Sequence, residues 1–83
     1  MRDVRSQIRS VLKEHGRFVA DPGEIGDDTD LYQLGMTSHA SVGVMLALEA
    51  TFDLEFPDRM LTRSVFESIS AIGTAIEELL RSK

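Results

Sequence analysis

The sequence predicts an all-α fold: a small four-helix bundle of three longer helices and one short helix, with a long ordered loop between the first two. Three observations carry this expectation. Apolar residues recur at helical spacing near both ends of the chain and crowd its middle. No stretch alternates apolar and polar residues long enough to read as a strand. Both prolines, Pro22 and Pro57, and the turn-forming tract "DPGEIGDD" fall between the helical stretches. At 83 residues the chain fits one small domain, 1–83.

The first helix comes from "DVRSQIRSVLKEHG", where Val4, Ile8, Val11 and Leu12 share one face. Asp3 complements the positive end of its dipole, Lys13 and His15 the negative end, and Gly16 supplies the stop. From Arg17 to Met36 neither helical period nor alternation is present, and "DPGEIGDD" is turn chemistry. A connection of about twenty residues is long for a compact domain, so it must be anchored or functional. Phe18, Val19, Ile25, Leu31, Tyr32 and Leu34 can pin it, and "DLYQL" suits a helical turn capped by Asp30. The second helix should run from about Ser38 to Phe52 with Thr37 as N-cap. It is apolar around most of its circumference; Met36, Val42, Val44, Met45, Leu46, Leu48 and Phe52 belong in the core, with Met36, beside Ser38, expected to be partly exposed. "DLEFPD" ends it, "RMLTRSVF" provides one or two turns, and "SISAIGTAIEELLRSK" forms the last helix on Ile69, Ile72, Ile76 and Leu79. Glu77 and Arg81 are placed for an i, i+4 ion pair there.

Composition removes several function classes. Cysteine is absent, which excludes disulfides, thiolate metal sites and a cysteine nucleophile. A net charge of −5 argues against a nucleic-acid binder, since phosphate neutralisation needs a basic face. The acidic run Asp27-Asp28-Thr29-Asp30 fails as an EF-hand loop, because the positions that need an oxygen ligand and a glycine are Tyr32 and Gln33, and is expected to be a solvated turn. Two isolated histidines give no zinc set, so no metal site is expected. Without a long apolar run or a signal-peptide core, the expected setting is cytoplasmic and free of membrane insertion.

The residues that invite a function are Met36-Thr37-Ser38-His39. Ser38 read plainly is a first-turn serine beside a Thr37 cap. Read functionally, it offers a hydroxyl at a helix N-terminus, where backbone N–H groups and the dipole favour a negative group such as a phosphodiester. A self-contained hydrolase is a poor fit, since Ser38 and His39 are adjacent on a helix and do not face each other. No enzyme is expected. Ala40, Gly43, Ala47 and Ala50 form a small-residue stripe that serves either close packing in the bundle or the close approach of a partner.

"DLYQLGMTSHASVGVMLALEATFDLEFPD" resembles the acyl carrier protein family, on Asp30-Leu31, Leu34-Gly35, Ser38, Val42, Leu48-Glu49, Phe52 and Pro57. The similarity runs over essentially the whole chain. It implies that Ser38 is the attachment site of 4′-phosphopantetheine, delivered from coenzyme A by a magnesium-dependent phosphopantetheinyl transferase. Acyl or aminoacyl cargo would then ride as a thioester on that arm, which supplies the thiol the chain lacks. Met36, Thr37 and His39 would flank the attachment point. The alternative is a helical interaction module without a prosthetic group.

The departures from the family pattern are specific. Thr37 stands where an Asp is usual, and His39 where a Leu is usual. Of the acidic second-helix positions that dock partners in the family, Glu49 remains, while Ala40, Gly43, Ala50 and Thr51 are uncharged. The expected partner face is Ala40, Gly43, Val44, Ala47, Glu49 and Ala50, used by a dedicated loading ligase and downstream acyl-transfer enzymes acting on a monomer. The Gly-Met-Thr-Ser form looks like a specialised subgroup, some of whose kind accept aminoacyl groups. A cargo pocket, if present, would open between the second and third helices near Val44, Leu48 and Val65.

Overall fold

The computed structural model describes residues 4–15 and 25–82. Helix α1 spans Val4–His15, α2 Ser38–Phe52, α3 Arg63–Phe66 and α4 Ile69–Arg81, with a 3-10 turn over Asp58–Met60. The all-α expectation holds. Asp3, Gly16, Phe18, Val19 and Pro22 lie outside the described residues.

Each longer helix forms because one row of aliphatic side chains meets the others. Ile8 and Leu12 of α1, Val44 and Leu48 of α2, and Ile69, Ile72 and Ile76 of α4 have no solvent exposure, and Leu31 joins them from the loop. Burying one such side chain is worth roughly 1.5–3 kcal/mol. Both α2 and α4 are started by a side-chain cap. Thr37 accepts the Ala40 N–H at 3.0 Å, and Ser68 accepts the Ala71 N–H at 3.0 Å.

The approach to α2 explains the Gly-Met pair. Asp30 Oδ1 accepts from the N–H groups of Tyr32 (2.9 Å) and Gln33 (3.4 Å), which starts a turn. The turn closes with Met36 N–H donating to Leu31 O at 3.1 Å and Gly35 N–H to Tyr32 O at 3.2 Å. This is the paired bonding of a Schellman motif, which requires a left-handed residue before its last position. Gly35 fills it at φ 115°. The apolar residue that follows belongs against the turn, and Met36 is accordingly only 2% exposed.

Asp27 departs from the solvated turn expected of it. It accepts Arg5 Nη1 and Arg9 Nη2 at 2.6 Å each, one turn apart on α1, and Arg9 Nη1 also donates to Ile25 O at 2.7 Å. Its own carbonyl accepts Ser70 N–H at 2.8 Å, and Leu31 N–H reaches Glu67 O at 2.7 Å. Residues 25–31 are thereby tied to both α1 and the start of α4.

Beyond α2 the chain reverses at Asp53, in the left-handed region at φ 53°. Glu49 then holds the return strand of chain: its Oε2 accepts the Phe56 N–H at 2.9 Å. Phe56 packs edge-on against Phe66, with centroids 5.4 Å apart. The expected short helix over 59–66 is two pieces instead. Met60 and Phe66 are both buried, yet on one continuous helix they would point about 120° apart. A break at Leu61-Thr62 lets both face inward. The expected Glu77–Arg81 pair is not among the ion pairs of the described residues; Glu78 meets Arg59 at 3.5 Å instead.

Candidate functional site

Ser38 occupies the first position of α2, just after the Thr37 cap, and is exposed. Among the described residues its hydroxyl has no hydrogen-bond partner, while its carbonyl accepts Ser41 Oγ at 2.8 Å. A hydroxyl that neither caps nor braces the fold is chemically available. It stands where unpaired first-turn N–H groups and the helix dipole create a positive field.

A groove of about 360 Å³ opens beside it. One wall is the α2 face Ser38, Ser41, Val42 and Met45, spaced i, i+3, i+4 and i+7. Leu61, Thr62, Arg63 and Phe66 form the other wall, and Tyr32 closes an end. The Arg63 guanidinium carbon lies 4.4 Å from the centroid of the Tyr32 ring. The groove thus sits between the second and third helices but is not lined by the residues expected there. Val44 and Leu48 are fully buried in the core. Val65 faces a second groove on the other side of the segment, with Arg59, Ser64, Thr74 and Glu78.

The remaining site residues divide. Thr37 and His39 are exposed flanks of Ser38, whereas Met36 is interior, held there by the Schellman turn. The expected partner face splits along the helix axis. Ala40 and Val44 are buried, so no partner can reach them without opening the bundle. Ala47 is half-buried against the core, and Glu49 turns its carboxylate onto the Phe56 amide. Gly43 and Ala50 face outward; a Cβ at Gly43 would meet nothing within 4 Å. Outward too are Val42 and Leu46, 51% and 55% exposed, which the sequence reading placed in the core. The apolar composition of α2 hid them, because a helix greasy all round carries no period that says which side faces in.

These features suit a phosphopantetheine arm: a free hydroxyl to esterify, a positive helix end beside it, and an apolar groove running from the attachment point.

A model of the phosphopantetheine attachment site family matches residues 2–76. The chain is 40% identical over 80 residues to the aminoacyl carrier protein of Agrobacterium fabrum, covering 96% of each. It is 31% identical over 78 residues to an acyl carrier protein of Phenylobacterium zucineum, covering 93% of this chain and 90% of that one. In structure it matches a chain from the complex of an engineered Bradyrhizobium japonicum glycine:[carrier protein] ligase with a carrier protein from Agrobacterium tumefaciens and ATP. The TM-score is 0.89 at 39% identity, over 92% of this chain and 99% of that one. A chain from the B. japonicum ligase complexed with glycylated carrier protein matches with TM-score 0.73 at 28% identity, over 88% of this chain and 99% of that one. Matched over most of its length in both sequence and fold, this chain belongs to the phosphopantetheine attachment site family and is a carrier protein, holding acyl or aminoacyl groups as thioesters on covalent 4′-phosphopantetheine.

Proposed function

We propose that Ser38 bears the 4′-phosphopantetheine arm and that the outward face of α2 presents it to a ligase that loads an aminoacyl group. The observation that carries this reading is the exposed Ser38 hydroxyl, unengaged by the fold at the start of α2. A cytoplasmic phosphopantetheinyl transferase would act on the monomer. Ser38 Oγ gives up its proton and bonds to the phosphorus nearer pantetheine, and the diphosphate bond of coenzyme A breaks to release the adenosine bisphosphate. The bound group supplies the thiol that this cysteine-free chain lacks.

The chain itself carries out no chemistry on the cargo. His39 follows Ser38 directly on the helix and cannot act as its base. Aminoacyl rather than long-chain acyl cargo is supported by the 40% identity to an aminoacyl carrier protein and the likeness to carriers in ligase complexes. Partner choice is supported by the surface. Around Ser38 the outward face of α2 offers Val42, Gly43, Leu46 and Ala50, with no acidic residue among them. Such a face docks by shape and apolar contact, with little electrostatic steering. That fits a dedicated ligase better than a broad set of basic enzymes.

Intact-mass measurement after incubation with coenzyme A and a transferase tests the assignment. The expected result is one phosphopantetheine increment on the wild type and none on Ser38→Ala. No increment on the wild type with several transferases would return the chain to a plain interaction module.

A further inference from the structure

We propose that Arg63, seated over the Tyr32 ring, grips the phosphodiester of the arm and so sets the direction in which the arm leaves Ser38. This rests on the reading that Ser38 carries the arm.

Arg5, Arg9 and Arg59 are each matched to a carboxylate. Arg63 is not: among the described residues its recorded partner is the Tyr32 ring, 4.4 Å from the guanidinium carbon. A cation held over a ring face is located without being matched to a carboxylate, so the guanidinium remains able to bind an anion through two parallel hydrogen bonds. Its location selects the anion. Arg63, Tyr32 and Ser38 line the same groove, whose apolar lining includes Val42, Met45 and Phe66. A phosphodiester on Ser38 brings one permanent negative charge to that groove, in a chain whose net charge of −5 offers no general attraction for it. The apolar lining then faces the branched hydrocarbon part of pantetheine. Arg63 is thus a positioning residue. It sets the direction in which the arm leaves Ser38, and Tyr32 fixes the place of Arg63.

The test uses the holo protein, with mass spectrometry confirming full modification of wild type, Arg63→Gln, Arg63→Lys and Tyr32→Leu. The readouts are the ³¹P transverse relaxation of the phosphodiester and the Arg63 Nε–Hε resonance. In the wild type that resonance shifts on conversion from apo to holo, and the phosphorus relaxes with the folded domain. In Arg63→Gln the relaxation rate falls toward that of a phosphodiester on an unstructured peptide. Arg63→Lys and Tyr32→Leu lose part of the restraint, and raised salt removes the difference between wild type and Arg63→Gln. Equal relaxation in fully modified wild type and Arg63→Gln, with no shift at Arg63, overturns the proposal. Wild-type relaxation in Tyr32→Leu overturns the role given to the ring. A wild type that takes no phosphopantetheine fails at the mass measurement instead, and sinks the Ser38 reading itself.

Discussion

Helices α2 and α4 are near equals in length, 15 and 13 residues, and both start from a hydroxyl cap, yet they spend their apolar residues differently. In α4 the sides are sorted. Ile69, Ile72 and Ile76 are buried, while Thr74, Glu77 and Arg81 face solvent. In α2 the inner row of Ala40, Val44 and Leu48 is matched by an outer set, Val42 and Leu46, that the fold leaves in water. Each helix also carries an interior glycine, which costs about 1 kcal/mol relative to alanine; Gly73 of α4 is buried facing Ile8, whereas a Cβ at Gly43 of α2 would meet nothing within 4 Å. The bundle accounts for nearly all of α4, where only Leu80 in the last turn is 37% exposed, but for only half of α2. The other half lies on the side of the candidate attachment serine, which is why we read it as built for a partner.

The comparison breaks most readily in the core. Leu48→Ala and Ile76→Ala should each cost about 2–5 kcal/mol in chemical denaturation, whereas Leu46→Ala should stay within about 0.5 kcal/mol. A large loss at Leu46 would mean that the outer face belongs to the fold after all. Loading sharpens the same point: Val42→Glu and Leu46→Glu should lower kcat/KM with the cognate ligase about tenfold while leaving the thermal midpoint nearly unchanged. The caps come next. Thr37→Ala should cost about 1 kcal/mol, and Ser68→Ala more, because Ser68 is buried and its loss also leaves a void. The smallest effect is a gain. Gly43→Ala should stabilise the protein by about 0.5–1 kcal/mol, read by the same denaturation, without improving loading. Native-state amide exchange extends the comparison to the rest of the chain. Residues 58–66, a 3-10 turn and a single helical turn, should exchange faster than α4; the reverse order would deny this segment the give expected of a groove wall.

The sequence made the helix ends easy to read where local chemistry decides them. Thr37 ahead of an apolar run and Asp30 ahead of "LYQL" each announce a start, and the structure places both there. Met36 was legible in principle, since an apolar residue after a left-handed glycine is the Schellman pattern, but its nearness to Ser38 suggested exposure. What the sequence withheld depends on which side of a helix meets its neighbours. Val42 and Leu46 could not be told from Val44 and Leu48 by composition. Asp27, one acid in an acidic run, gave no sign that Arg5 and Arg9 would converge on it from α1. Glu49 sits where the family shows a docking carboxylate, yet here it secures the Phe56 amide seven residues on. The seating of Arg63 over Tyr32 joins residues far apart in sequence and follows only from the fold.

In the proposed function one hydroxyl, that of Ser38, receives the arm. Ser41 lines the same groove one turn further along α2 and is the natural competitor. Peptide-level fragmentation of the transferase-modified protein decides between them. The whole phosphopantetheine increment is expected on Ser38. An increment found on Ser41 or Thr37 would contradict it.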